Sequence, residues 1–159
     1  MSDLQPAPHP FVPDGFVPPV GLDHPEFRLR PLGPEHNSSD YEAWTSSVDH
    51  IHATPGFAEM GWPHPMTPEE NLADLVRHAA DFERRTGFTY TVLAPTDDDP
   101  PTVIGCVYIY PADGFDARVR SWVRAADARL DAVLARTVSD WLADAWPFED
   151  VDDAGRTVG

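Results

Sequence analysis

The chain of 159 residues is long enough for one domain with a real core and short for two. Its 42% hydrophobic content, with 5 Trp, 4 Tyr and 8 Phe, excludes a wholly disordered chain, and no apolar run approaches the roughly 20 residues that span a bilayer. A formal charge of −16 argues against nucleic acid or an anionic membrane as partner, because both reward a basic surface.

Residues 1–27 carry no Lys or Arg and no apolar core of a secretory signal, so the cytoplasm is the expected location. Residues 1–26 read as an extended arm, because Pro6, Pro8, Pro10, Pro13, Pro18, Pro19 and Pro25 favour a polyproline-like path. Its Phe11, Val12, Phe16, Val17 and Val20 are unusual for a solvated tail and call for something to pack against. Residues 27–159 form the expected single domain. "FRLRPL" (27–32) alternates apolar and basic residues, as a half-buried strand does. "NSSDYEAWTSSVDHI" predicts one helix, with Ser39 and Glu42 as a capping box and Tyr41, Trp44, Val48 and Ile51 on one face. "MTPEENLADLVRHAADFERRTG" predicts a second: Thr67 caps it, Pro68 opens it and Glu70 completes the box. Leu72, Leu75, Val76, Ala79 and Phe82 form its stripe, and Gly87 ends it. The aromatic linker between them, "HATPGFAEMGWPHPM", is too apolar for a plain loop and suits the wall of a cleft.

"FTYTVLA" (88–94) and "TVIGCVYIY" (102–110) flank a Pro/Asp turn and read as an antiparallel hairpin whose second strand, apolar on both faces, is central. Cys106 lies in that strand, where a buried small hydrophobe is expected rather than a reactive thiol. A third strand (118–123) leads into a helix over about 131–146 with Leu130, Leu134, Val138, Trp141, Leu142 and Ala145 inward and Pro147 as its stop. The final "FEDVDDAGRTVG" is acidic, so any strand there is weak. All 11 basic residues are arginine, and five of them crowd residues 118–136 against two aspartates, one basic island in an acidic chain.

The order strand, helix, helix, three antiparallel strands and a long helix resembles the GNAT superfamily of N-acetyltransferases over roughly residues 27–151. The resemblance rests on "FTYTVLA…TVIGCVYIY" and on the strand–loop–helix "VRSWVRAADARLDAVL" (119–134). It implies an α+β fold, a mostly antiparallel central sheet flanked by helices, here C-terminally truncated relative to the family. It also implies transfer of an acetyl group from acetyl-CoA to a small-molecule or peptide amine. In the family the strand–loop–helix junction carries glycines whose N–H groups wrap the diphosphate; here "RAADARLD" stands in its place. The implied coenzyme-binding residues are Trp122, Val123, Arg124, Ala126, Arg129 and Asp131, with Arg124 and Arg129 replacing backbone contacts by charge-assisted bonds. The competing expectation is that these arginines pair with Asp127, Asp131 and Asp140 on a solvated face. No tyrosine follows Tyr110, so the family's C-terminal tyrosine acid has no counterpart.

His50, His52 and His64 lack the spacing of a zinc signature, and no metal site is expected. His52, with Glu59, is instead the candidate general base, since histidine titrates near neutrality. Tyr108, Tyr110 and Trp122 suit core packing, Trp122 also suiting the wall of a pantetheine site. The alternative to an enzyme is a catalytically inactive GNAT-like binding or assembly module. Apolar surface left by the short C-terminus would then be covered by the arm or by a second subunit in a homodimer.

Overall fold

A computed structural model describes residues 10–156, so Pro6 and Pro8 of the arm lie outside the described residues. One sheet runs in the order β1 (Leu22–His24), β2 (Phe27–Pro31), β3 (Phe88–Leu93), β4 (Val103–Ala112), β5 (Phe115–Val123) and β6 (Val151–Asp152). Neighbours pair antiparallel as far as β5, whereas β5 and β6 run parallel. Three helices, α1 (Asn37–Thr45), α2 (Val48–His52) and α3 (Pro68–Arg84), lie on one face; α4 (Asp131–Ala145) lies on the other. This is the α+β architecture expected from the sequence.

Period-two alternation separates two cores. Phe88, Tyr90 and Val92 of β3 and Ala117, Val119 and Val123 of β5 pack with Leu134, Val138 and Leu142 of α4. On the opposite face Cys106 and Trp122 pack with Trp44 of α1, Ile51 of α2 and Leu75 of α3. Every residue of β3 is buried, as a strand covered on both sides requires. Between β3 and β4 the alternation slips where Val92 pairs with Gly105 and Leu93 with Val103, so that Ile104 turns to the α4 side. Here β4 and β5 approach so closely that a Cβ on Gly105 would collide with the Trp122 carbonyl oxygen.

The arm covers the part of the α4-side core that α4 leaves open. Phe11 stacks on Phe88 and Phe148, with centroids 5.8 and 5.2 Å apart, and Phe16 lies 5.2 Å from Trp146. Val12 is 2% exposed, Tyr90 donates to the Pro19 carbonyl at 2.6 Å, and Arg85 donates to the Pro13 carbonyl at 2.7 Å. Val17 and Val20 stay exposed. β1 lies within this segment, a strand the proline-rich pattern concealed.

The region 37–52 is not one helix. Thr45 and Ser46 donate their hydroxyls back to carbonyls of α1, and Ser47 breaks out of helical geometry at φ −136°, so α1 and α2 are separate. No capping box forms at Ser39, whose hydroxyl instead accepts from the Val103 N–H at 2.8 Å. The Thr67–Pro68–Glu70 start of α3 forms as expected, with Thr67 Oγ1 accepting from Glu70 N at 3.1 Å and Glu70 Oε1 from Thr67 N at 2.8 Å. Its buried stripe is rotated: Asn71 and Leu75 are buried, while Leu72 and Val76 are exposed. Arg85, at φ 63°, ends the helix in place of Gly87. A Cβ on Gly87 would strike the Tyr110 ring, so that glycine serves packing. On α4 the inward residues run from Leu130 to Leu142 as expected, but Ala145 is exposed.

Gly105→Ala is expected to force β4 and β5 apart and to cost about 1–3 kcal/mol, lowering the thermal midpoint by roughly 2–4 °C per kcal/mol. Calorimetry reads it; an unchanged midpoint would show that the close approach imposes no constraint.

Candidate functional site

β5 divides two cavities. Its odd-numbered residues face α4, and its even-numbered residues face α1 and α3. β6 pairs with it only at Ala117 and Arg118 among the described residues, so beyond that point the outer edge of β5 has no strand beside it. A groove of about 260 Å³ occupies this gap, with Val119, Val138, Leu142 and Phe148 as apolar wall and Ser121 and Arg156 as polar edge. On the other face a cavity of about 340 Å³ is bounded by Arg118 and Arg120 of β5, Tyr108 and Tyr110 of β4, and α3. Arg120 closes the seam between them, donating to the Asp152 carbonyl at 2.8 Å and the Asp152 carboxylate at 3.1 Å.

The junction after β5 differs from a glycine-rich anion loop. It forms a 3-10 turn over Ala125–Leu130 before α4 begins. The Ala125 N–H is engaged by Ser47 Oγ at 2.7 Å, which docks the junction on the α1–α2 break. Arg124 is ion-paired to Asp127, and Arg156 to Asp131 while also donating to the Ser121 carbonyl at 3.3 Å. Among the described residues, Asp131 Oδ1 is buried with no hydrogen-bond partner. The groove has apolar walls, and along it the Val119 and Ser121 carbonyls of β5 accept from Arg120 at 2.8 Å and Arg156 at 3.3 Å. Arg156 lines the groove and Arg124 lies at the junction after β5, each guanidinium held by an aspartate.

The residues marked out by sequence fall in different places. Val123 and Trp122 are buried on opposite faces, and Trp122 donates from Nε1 to the Tyr108 hydroxyl at 3.0 Å. Ala126 and Arg129 are exposed, and Arg129 reaches back to Glu26 at 3.5 Å, so Arg124 and Arg129 have separate partners. Asp131 is held by Arg156. Of the aspartates expected to pair with the island, Asp127 takes Arg124 and Asp131 takes an arginine outside it. Glu59 is exposed beside Met60, and the His52 Nε2 meets the Pro63 carbonyl at 2.7 Å. Among the described residues, no group of three or more His, Cys, Asp or Glu is placed to hold a metal ion, and no helix is long and apolar enough to cross a membrane. Cys106 is fully buried, and burial pushes its thiol well above the usual range.

The cavity beyond β5 gathers Asp40, Asp74 and His78, which the sequence pattern did not single out, and Tyr110, which was expected to pack in the core. His78 Nδ1 lies 2.7 Å from the Tyr110 hydroxyl and 3.1 Å from Thr89 Oγ1, and Tyr110 donates to Asp81 at 2.9 Å. Burial, with Arg77 beside it, pulls the His78 pKa down to about 4; burial also pushes the Tyr110 phenol up. Asp40 accepts from Asn71 Nδ2 at 3.1 Å, and Asn71 Oδ1 accepts from Trp44 Nε1 at 3.0 Å. The available signal was a set of polar residues at helical spacing, Asn71, Asp74, His78 and Asp81, on the side of α3 next to its apolar stripe.

No protein-family model matches the chain, and no curated protein sequence matches it. Solved structures do, and they define the fold as that of the GNAT acetyltransferases. The ribosomal-protein-S5-alanine acetyltransferase of Vibrio fischeri is similar at TM-score 0.58 and 14% identity, over 80% of this chain and 69% of that one. The ribosomal L7/L12 α-N-protein acetyltransferase RimL is similar at TM-score 0.56 and 12% identity, over 81% and 70%. The microcin C7 self-immunity acetyltransferase MccE, in complex with acetyl-CoA and AMP, is similar at TM-score 0.55 and 11% identity, over 82% and 69%.

Asp40 is 5% exposed, and its pKa is raised from the ordinary 3.8 to about 6, chiefly by burial. Between those values the native state keeps a proton that the unfolded chain has lost, so stability falls as pH rises through this window and stays lowered above it. The penalty at pH 8 is on the order of 3 kcal/mol. Asp40→Asn keeps the acceptor for Asn71 and removes the charge. It is expected to raise the thermal midpoint at pH 8 and leave it nearly unchanged at pH 4; equal shifts at both would contradict this account.

Proposed function

We propose that the chain transfers an acyl group from an acyl-CoA such as acetyl-CoA to an amine, the thioester arm lying in the α4-side groove and the amine in the cavity across β5. The observation that carries this reading is that two cavities meet the same strand from opposite faces where, among the described residues, no strand pairs with its outer edge. Bound coenzyme supplies a thioester carbonyl, an electrophile toward a neutral amine. Val119, Val138, Leu142 and Phe148 exclude water from the arm, and the edge of β5 binds its amides once Arg156 gives up the Ser121 carbonyl. Arg124 and Arg156 face the phosphates once they exchange their aspartates for them. On the acceptor side Phe57, Trp62 and Tyr108 hold the amine's apolar body, and Asp40 and Asp74 draw in a cationic amine, which gives one proton to solvent before its nitrogen attacks. Glu59, at the rim beside Met60, adds to the attraction of a cation.

A second reading, a GNAT fold that binds a partner without catalysis, is favoured by one feature. Asp127 and Asp131 stand where phosphate would approach, and each occupies an arginine.

Calorimetric titration of CoA and acetyl-CoA, followed by thiol release with a panel of small primary amines and short peptides, separates the two. Asp131→Ser removes a carboxylate from the phosphate end and frees Arg156, so it is expected to tighten CoA binding roughly tenfold, equivalent to about 1.4 kcal/mol. Arg124→Ala is expected to weaken it. Heat-silent titrations of both the natural chain and the Asp131→Ser variant would leave the non-catalytic reading standing.

A further inference from the structure

The geometry points to His78 as the proton acceptor of the acceptor cavity, its imidazole fixed by Tyr110 and Asp81 so that Nε2 carries the lone pair. This rests on the acyl-transfer reading and adds to it a residue on α3.

The inference follows from counting hydrogens. Tyr110 has a single hydroxyl hydrogen, and it is donated to the Asp81 carboxylate at 2.9 Å. His78 Nδ1 sits 2.7 Å from that same phenolic oxygen, a separation at which two lone pairs would repel, so Nδ1 carries the hydrogen and donates it. Thr89 Oγ1, at 3.1 Å, shares the same N–H as a second acceptor. A neutral imidazole protonated at Nδ1 has its lone pair on Nε2, the ring edge not tied to the sheet. The ring is gripped further by Tyr108, 5.6 Å away between centroids, and it borders the cavity.

The groups around it set its charge. On α3, Asp74 and Asp81 favour the imidazolium and Arg77 disfavours it, while burial is the dominant influence toward the neutral form. Tyr108 and Tyr110 of β4 and Thr89 of β3 are neutral neighbours. Across the cavity stand Asp40 of α1 and Arg118 and Arg120 of β5. The ring is thus neutral at physiological pH, ready to accept a proton.

In the step, the amine nitrogen forms a C–N bond to the thioester carbonyl carbon, and the C–S bond breaks with its electron pair leaving on sulfur. The surplus proton on nitrogen passes to His78 Nε2 and then to the thiolate, which restores the neutral ring. While the ring is charged, Nδ1–H still donates to Tyr110 and Tyr110 to Asp81, so the positive charge is met by a carboxylate through one hydroxyl. His78 touches the amine and is catalytic; Tyr110 and Asp81 are positioning residues.

Long-range nitrogen–proton NMR of the imidazole at pH 7 is expected to show His78 neutral and protonated at Nδ1. His78→Gln is expected to lower kcat by roughly 10²- to 10⁴-fold, with the amine KM changed by less than about threefold and CoA binding unchanged. Tyr110→Phe is expected to give a mixed tautomer and a smaller loss of kcat, because Thr89 alone does not choose between the nitrogens. An Nε2-protonated ring in the natural chain, or a folded His78→Gln variant with undiminished kcat, overturns the assignment while leaving acyl transfer intact. A natural chain that acylates no amine of the panel removes the enzymatic reading and the role of His78 together, whatever the tautomer.

Discussion

The alternation of side chains along β5 is the constraint on which the rest of the molecule depends. One strand must bury Val119 and Val123 against α4 and Trp122 against α1 and α2, while its polar even-numbered residues Arg118 and Arg120 face the second cavity. A one-residue slip would move both sets to the wrong face, so the pairing with β4 is strongly specified. β6 is the weak partner, two residues long and parallel. The edge left without a strand is a liability in a plain sheet, and here Arg120 and Arg156 cover the Val119 and Ser121 carbonyls along it.

Electrostatics at the end of β5 run against the simplest phosphate site. A helix start favours anions, but here its first turns carry Asp127 and Asp131, which already exploit that potential. Arginine compensates locally: Arg124 takes Asp127, and Arg156 spans Asp131 and the Ser121 carbonyl. Ala125, Ala126 and Ala128 keep a Cβ where glycine would let phosphate oxygens reach the backbone, and the Ala125 N–H is committed to Ser47. Both guanidinium groups at this corner are thus committed to carboxylates.

The cavity between β5 and α3 is organised in the opposite way. Its polar groups are connected, the first set buried and the second half-buried: Asp40 to Asn71 to Trp44, and Asp81 to Tyr110 to His78. A connected chain of this kind fixes rotamers and protonation states, because each hydroxyl hydrogen has a defined destination. The aromatic rings of Phe57, Trp62 and Tyr108 lie 6.1–6.5 Å apart and close it on the loop side.

The sequence by itself determined the features that depend on near neighbours. The Thr67–Pro68–Glu70 cap, the hairpin of β3 and β4, the central burial of β4 and the inward face of α4 all follow from spacing within a few residues, and the structure contains each. Tertiary structure decided what depends on partners far along the chain. The α1–α2 break is held by a bond between Ser47 and Ala125, 78 positions apart, and the rotated face of α3 follows from Asn71 meeting Trp44 and Asp40. His78 meets Tyr110 across 32 positions, so neither residue shows its role to a reader of local pattern. The physical reason is range: caps and periodicity act within a turn of helix or a strand pair, whereas a proton's destination is fixed only when packing brings donor and acceptor within three ångströms.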